Sequence, residues 1–190
     1  MKKFLFLCLS MFILVNGLLL AQATDPAVGF WLSVDENGYP TAGWQTYIQN
    51  GKLYGKMLSA PGVTTSTLAT NCKSSYGRDF PVTGDVKRLP ILGTPWLYDL
   101  SPTRDAGKWT GGKIIDVSEA KDARQWTGGV TFYRAGTAIP SHGRNIVRVA
   151  NKNGNNFKFD TLEMAGGLGP IVGRRQYWEK ATQQQASSVR

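Results

Sequence analysis

The side chains able to do chemistry are few and far apart. His142, in "IPSHGRN", is the only histidine, and Cys8 and Cys72 are the only cysteines. A Cys72–His142 pair would supply a nucleophile and a base of near-neutral pKa. Both residues fall in stretches that read as loops, however, and nothing around them fixes their geometry; His142 is more simply an exposed turn residue. One histidine and so few thiols also fall short of a closed zinc site. The composition is compatible with a glycosidase-like carboxylate pair, but Asp35, Glu36, Asp99, Asp116 and Glu163 all sit at turns or strand ends where acids are ordinary. "AGGLGPIVG" is followed by neither a helix nor Gly-Lys-Ser/Thr, so it reads as a bend before the last strand rather than a phosphate cradle. Tyr47 and Tyr54 beside Lys52 and Lys56 have the composition of a base-stacking surface, but cross-strand tyrosines commonly just stabilise sheets. The residues therefore point away from an enzyme, and no metal, cofactor or nucleic-acid partner is expected.

The N-terminus argues for export, which weighs further against nucleic acid. Lys2 and Lys3 precede an apolar run that ends at Ala21-Gln22-Ala23, the pattern of a secretory leader over residues 1–23. Ser10, Asn16 and Gly17 interrupt the run, and no polybasic flank follows, so a leader is favoured over a membrane span. No transmembrane segment is expected after cleavage, and the family likeness described below favours the periplasm over full secretion. The whole chain has a formal charge of +9; losing the two leader lysines leaves +7. Only Lys87-Arg88 and Arg174-Arg175 are adjacent basic pairs beyond the leader, so the charge reads as solubilising, with peripheral envelope association as the alternative. Cys72 alone survives cleavage, which rules out an intrachain disulfide and suggests a buried small hydrophobe.

These residues must be positioned by β structure. From residue 28 onward, short runs of Val, Ile, Trp, Tyr, Phe and Thr alternate with Asn-Gly, Asp-Ala-Gly and Pro-containing turns, without helical periodicity. The clearest hairpin is "WQTYIQNGKLYGKM", with Asn50-Gly51 as a type I′ turn. Counting outward pairs Ile48 with Leu53 and Trp44 with Met57 on one face, and Tyr47 with Tyr54 and Gln45 with Lys56 on the other. A second hairpin is expected in "NIVRVANKNGNNFKFDTL" around Asn153-Gly154-Asn155, placing Val149 opposite Phe159, Val147 opposite Thr161 and Arg148 opposite Asp160. Further strands are expected at 28–34, 95–101, 111–118, 128–135 and 170–180. Eight or nine strands suit a closed antiparallel barrel over 24–180, with a two-sheet sandwich as the alternative. Residues 60–87 read as a long loop or lid with a short helix, and 181–190 as a frayed polar tail.

"KWTGGKI" and "QWTGGVT" repeat four letters seventeen positions apart. At the starts of consecutive antiparallel strands, Trp109 and Trp126 fall at opposite barrel ends. Gly111-Gly112 and Gly128-Gly129 then serve as bulges or bends, and each tryptophan caps a rim.

Read in order, "GFWLS", "NGKLYGKM", "LPILG", "WTGGKIIDVSEAK" and "LGPIVGRRQYW" resemble the bacterial exported family of domain of unknown function 2147. The resemblance implies a small lipocalin-like β-barrel and no established activity. The chain departs from the family's Asp-Pro-x-x-Gly-Lys turn with Asp116-Val117-Ser118-Glu119-Ala120-Lys121, and its 123–157 stretch is unusually long. Such barrels start with Gly-x-Trp, the indole lying under a basic side chain of the last strand. That implies closure by Gly29 and Trp31 against Arg174 or Arg175.

Two functional expectations follow. In the first, the barrel holds a small apolar or amphipathic molecule against Trp44, Met57, Phe132 and Phe159. In the second, the barrel is filled and acts as an envelope interaction module through an exposed patch around Tyr47, Tyr54 and Trp96.

Overall fold

A computed structural model describes residues 25–141, 149–168 and 171–190; the expected leader, His142, Val147 and Arg148 lie outside the described residues. The strands are β1 (Gly29–Val34), β2 (Pro40–Gln49), β3 (Lys52–Ser59), β4 (Pro95–Pro102), β5 (Lys108–Ile115), β6 (Gln125–Tyr133), the two-residue β7 (Lys152–Asn153) and β8 (Asn156–Phe157), β9 (Thr161–Leu168) and β10 (Ile171–Ala181). Eight of them close an antiparallel barrel in the order β1-β10-β9-β6-β5-β4-β3-β2, while β7 and β8 pair only with each other. Closure leaves no exposed sheet edge, which is how an all-β chain of this length avoids edge pairing.

The β2–β3 hairpin has the register expected from its turn, including Trp44 opposite Met57 and Tyr47 opposite Tyr54. Asn50 and Gly51 both have positive φ (51° and 72°), as a type I′ turn requires. The second hairpin differs. Lys152 pairs with Phe157 and Asn153 with Asn156, and the pairing ends there. Thr161 instead pairs with Tyr133 of β6 and Glu179 of β10. The reason lies in the side chains: 151–156 has no apolar face to bury, whereas Leu162 and Met164 alternate inward from β9. Phe157 turns onto the outside of the barrel, where its ring lies 5.1 Å from Tyr133 and 5.6 Å from Tyr177.

β5 and β6 begin three residues earlier than expected, so both Trp-Thr-Gly-Gly motifs lie within strands. Pairing Trp109 with Val130 and Ile114 with Trp126 puts the two indoles at opposite ends of one hairpin. Only the first motif carries a bulge: Gly111 has φ 76°, and the β5 register shifts between Trp109 and Gly112. In β6 the glycines instead permit close approach, since a Cβ on Gly128 would lie 2.1 Å from the Ala165 carbonyl oxygen.

Residues 60–94 contain only a short 3₁₀ turn (Val86–Arg88), yet they are not a loose lid. Phe80 packs against Trp96 (6.1 Å) and edge-on against Tyr98 (5.4 Å). Asn71 Nδ2 donates to the carbonyls of Val117 (2.6 Å) and Glu119 (2.7 Å), and Tyr76 Oη donates to that of Ala123 (2.6 Å). This layer ties the β5–β6 loop to the body of the protein. Cys72 is fully buried within it, and burial pushes its thiol pKa up, which makes the sulfur a poor nucleophile.

The tail is also ordered, contrary to the frayed end expected from its polarity. Thr182 and Gln185 form a capping box that starts a helical turn, α1 (Gln183–Ala186). Ala186 is fully buried, and its carbonyl accepts from Ser59 Oγ (2.8 Å). Gly43 leaves the space for this contact: a Cβ there would lie 1.7 Å from the Ala186 oxygen.

Gly43→Ala is therefore expected to undock α1 and to cost about 1–3 kcal/mol, read from urea denaturation and from faster carboxypeptidase trimming. A second expectation concerns alkali. Burial first, then the Asp79 and Asp99 charges, push the Tyr98 pKa up to about 12 against the opposing Gln125 hydrogen bond. A folded pKa above the ordinary tyrosine value of about 10 gives a stability contribution that is complete below pH ~10 and is lost progressively toward pH ~12. Urea midpoints measured across that window should fall, while Tyr98→Phe should flatten the fall.

Candidate functional site

The barrel is filled at one end and hollow at the other. At the filled end Trp31 is fully buried, and its Nε1 donates to Thr46 Oγ1 (2.8 Å). Lys180 Nζ lies 4.3 Å from the Trp31 ring centroid and donates to the Val28 carbonyl (3.1 Å). Phe132 meets the same indole edge-on at 6.3 Å. Gly29 makes the closure possible, because a Cβ there would lie 2.4 Å from Lys180 Nζ. Desolvation lowers the Lys180 pKa, partly offset by Asp160. The cation–aromatic contact and the carbonyl bond favour the charged form locally.

Above this plug, Trp44 and Trp178 stack at 4.6 Å and 18° and form part of the wall of a cavity of about 520 Å³. Their N–H groups are used within the wall: Trp44 Nε1 donates to Ser33 Oγ (3.3 Å) and Trp178 Nε1 to Gln176 Oε1 (3.2 Å). Met57, Met164, Ile114 and Trp126 continue an apolar lining, and Ala60, Val63, Ile91 and Val117 form part of the rim. The volume lies in the range of small-molecule sites.

The polar groups of the wall are held by one another. Arg174 pairs with Asp116 and, at 3.6 Å, with Glu119, linking β10 to the β5–β6 loop. Asp116 also accepts from the Ser118 backbone (3.0 Å). Arg175 pairs with the buried Glu163. Asp35 accepts from the Asn37 and Tyr39 backbone N–H groups (both 2.9 Å), making its own turn.

The chain matches, over residues 29–180, the family described as "Uncharacterized protein conserved in bacteria (DUF2147)". The protein belongs to this family. Among solved structures, "Protein HP1028 from the human pathogen Helicobacter pylori", described as belonging to the lipocalin family, is similar to this DUF2147 chain. The likeness has a TM-score of 0.51 and 14% identity, and covers 84% of this chain and 85% of that one; at that identity it speaks to the fold. A search of curated proteins finds no match.

In this DUF2147 barrel the residues singled out from sequence separate into three places. Trp44 and Met57 line the cavity. Phe132 belongs to the plug beside Trp31. Phe159 is 40% exposed, because β9 takes a different partner from the one its hairpin pattern suggested, and it contributes nothing to the lining. Closure uses Gly29 and Trp31 with Lys180 instead of Arg174 or Arg175. The register explains the exchange: Trp31 pairs with Lys180, while Arg174 and Arg175 lie near the other end of β10 opposite Gly166 and Ala165. The expected patch around Trp96 is not formed, since Trp96 is buried and Tyr47 stacks on Tyr54 at 5.8 Å. Among the described residues no cluster of three or more His, Cys, Asp or Glu side chains suits a metal, and no helix is long and apolar enough to cross a membrane.

Trp126, Trp178 and Gln176 were not identified as lining from sequence. The inward alternation of β10 could have revealed Trp178 and Gln176 once its register was known.

The buried Glu163–Arg175 pair carries the sharpest stability expectation. Removing one charge from a buried pair leaves the other uncompensated, at a cost of about 3–5 kcal/mol. Glu163→Gln should lower stability by that order in urea titrations, and the double replacement Glu163→Gln with Arg175→Met should recover most of it.

Proposed function

We propose that this protein is an exported, non-enzymatic binding protein that holds a small apolar or amphipathic molecule in the hollow half of its barrel. The observation that carries the reading is the cavity of about 520 Å³ with the stacked Trp44–Trp178 pair in its wall. An eight-stranded barrel can fill itself with side chains or keep room for one ligand, and here the plug around Trp31 occupies only one end. Binding would draw its free energy from apolar area removed from water, at roughly 25 cal/mol per Å² before ordering costs are counted.

A binding role, as opposed to catalysis, is supported by the state of the polar groups. The mouth's carboxylates and guanidiniums are engaged in ion pairs or in their own turns. Export is supported by the leader pattern over residues 1–23, and the periplasm is the compartment we propose because the family likeness favours it over full secretion.

The test uses the protein without its leader and the neutral dye N-phenyl-1-naphthylamine. Saturable fluorescence enhancement with one site per chain is expected, and Met57→Trp should weaken it at least about tenfold by filling the cavity while far-UV circular dichroism stays unchanged. Absence of saturable binding, or equal binding by a folded Met57→Trp protein, would overturn the reading. Native mass spectrometry of protein taken gently from its own envelope fraction would then identify the molecule carried.

A further inference from the structure

The chain contains six tryptophans, and five of their indole N–H groups have partners. Trp31 donates to Thr46, Trp44 to Ser33, Trp96 to the Ile91 carbonyl, Trp109 to Asp25 and Trp178 to Gln176. The sixth, Trp126 Nε1, is buried without a hydrogen-bond partner. Trp126 is 9% exposed and lines the cavity. Among the described residues, two other buried side-chain atoms have no hydrogen bond: Asp116 Oδ2, which meets Arg174 in an ion pair, and the Tyr177 hydroxyl, which does not line the cavity.

The ring's position is set by two glycines. A Cβ on Gly166 would come 2.9 Å from Trp126 Cβ, and one on Gly173 would come 2.9 Å from Cζ3, with Cη2 and Cε3 next nearest. The Cε3–Cζ3 edge of the indole is thus seated against the β9–β10 wall. In an indole the N–H lies on the opposite edge, so Nε1 is directed away from that wall. A buried donor left unpaired costs more than the same bond contributes when made, and this chain satisfies every other indole.

Resting on the cavity as a binding site, we propose that Trp126 Nε1 is its specificity-determining donor, and that the ligand is an apolar molecule burying a neutral carbonyl oxygen against that N–H. A neutral acceptor suits the electrostatics better than a carboxylate. Arg174 is already compensated by Asp116 and Glu119, and Arg175 by Glu163, while Arg124, 5.9 Å from the Trp126 ring centroid, is exposed to solvent. A site that offers a buried donor discriminates against a ligand lacking the acceptor, because that ligand leaves the donor unpaired.

The test compares 2-acetylnaphthalene with 2-ethylnaphthalene, which are close in shape and differ in the carbonyl oxygen. Calorimetry on the wild-type protein should show both binding, the ketone about five- to tenfold more tightly. Trp126→Phe should bring that ratio to about one, whatever the change of ring size does to the two absolute affinities. In ¹⁵N-edited spectra of the wild-type protein, the Trp126 indole proton, assigned through the other protons of its own ring, which in turn contact Gly173, should move downfield with the ketone and not with the hydrocarbon. This second readout stands even where the variant folds poorly. Both ligands binding with equal affinity, or an indole proton indifferent to the ketone, would overturn the proposal and leave the cavity reading intact. Neither ligand binding would overturn both.

Discussion

Everything in this barrel depends on the seam between β1 and β10. An eight-stranded sheet has two edges until these strands pair, and their register sets Trp31 opposite both Lys180 and Trp44. The seam therefore closes the sheet and plugs one end at once. Lys180 crosses the indole only because Gly29 has no side chain in its way. The ammonium gives up hydration, as its lowered pKa reflects, and gains the ring face and a backbone carbonyl. A large aromatic held by a hydrogen bond and a cation fills one end, and the remaining barrel length need not be filled.

The hollow end owes its space to an unequal distribution of side-chain volume. Trp126 is large, but its neighbours at Gly166 and Gly173 are glycines, so the indole lies against bare backbone. The Trp44–Trp178 stack occupies another part of the wall with its N–H groups already satisfied. Around the mouth, Arg174 reaches Asp116 and Glu119 in the β5–β6 loop. That loop is held from behind by Asn71. A rim restrained on both sides gives the cavity a definite shape, and a predefined shape reduces the ordering cost of binding.

Outside the barrel, segments that look like connections act as cladding. Phe157 is buried between Tyr133 and Tyr177, and Phe80 meets Trp96 and Tyr98. These contacts give β4, β6 and β10 a second packed face. They also account for aromatics that a single-core view would have sent to the barrel interior or to an exposed recognition patch.

Local geometry was legible in the residues alone. Asn50-Gly51 fixed the β2–β3 turn, and alternation carried its register six pairs outward, to Trp44 and Met57. Short β-branched and aromatic runs determined the fold class, and the ordered family stretches determined the barrel. Two cavity residues were legible for that reason alone: they sit on a hairpin whose register is a local property. Every choice between distant partners depended on the folded chain. Lys180 rather than Arg174 covers Trp31 because the β1–β10 register, set across the whole chain, brings it there. Phe159 faces outward because β9 pairs with β6 and β10. The tail docks because Gly43 happens to leave room for Ala186. Trp126 enters the cavity wall because glycines on β9 and β10 converge on its ring. Periodicity records which side chains share a face of one strand; it does not record which strand will lie beside it, and a cavity is built from neighbours.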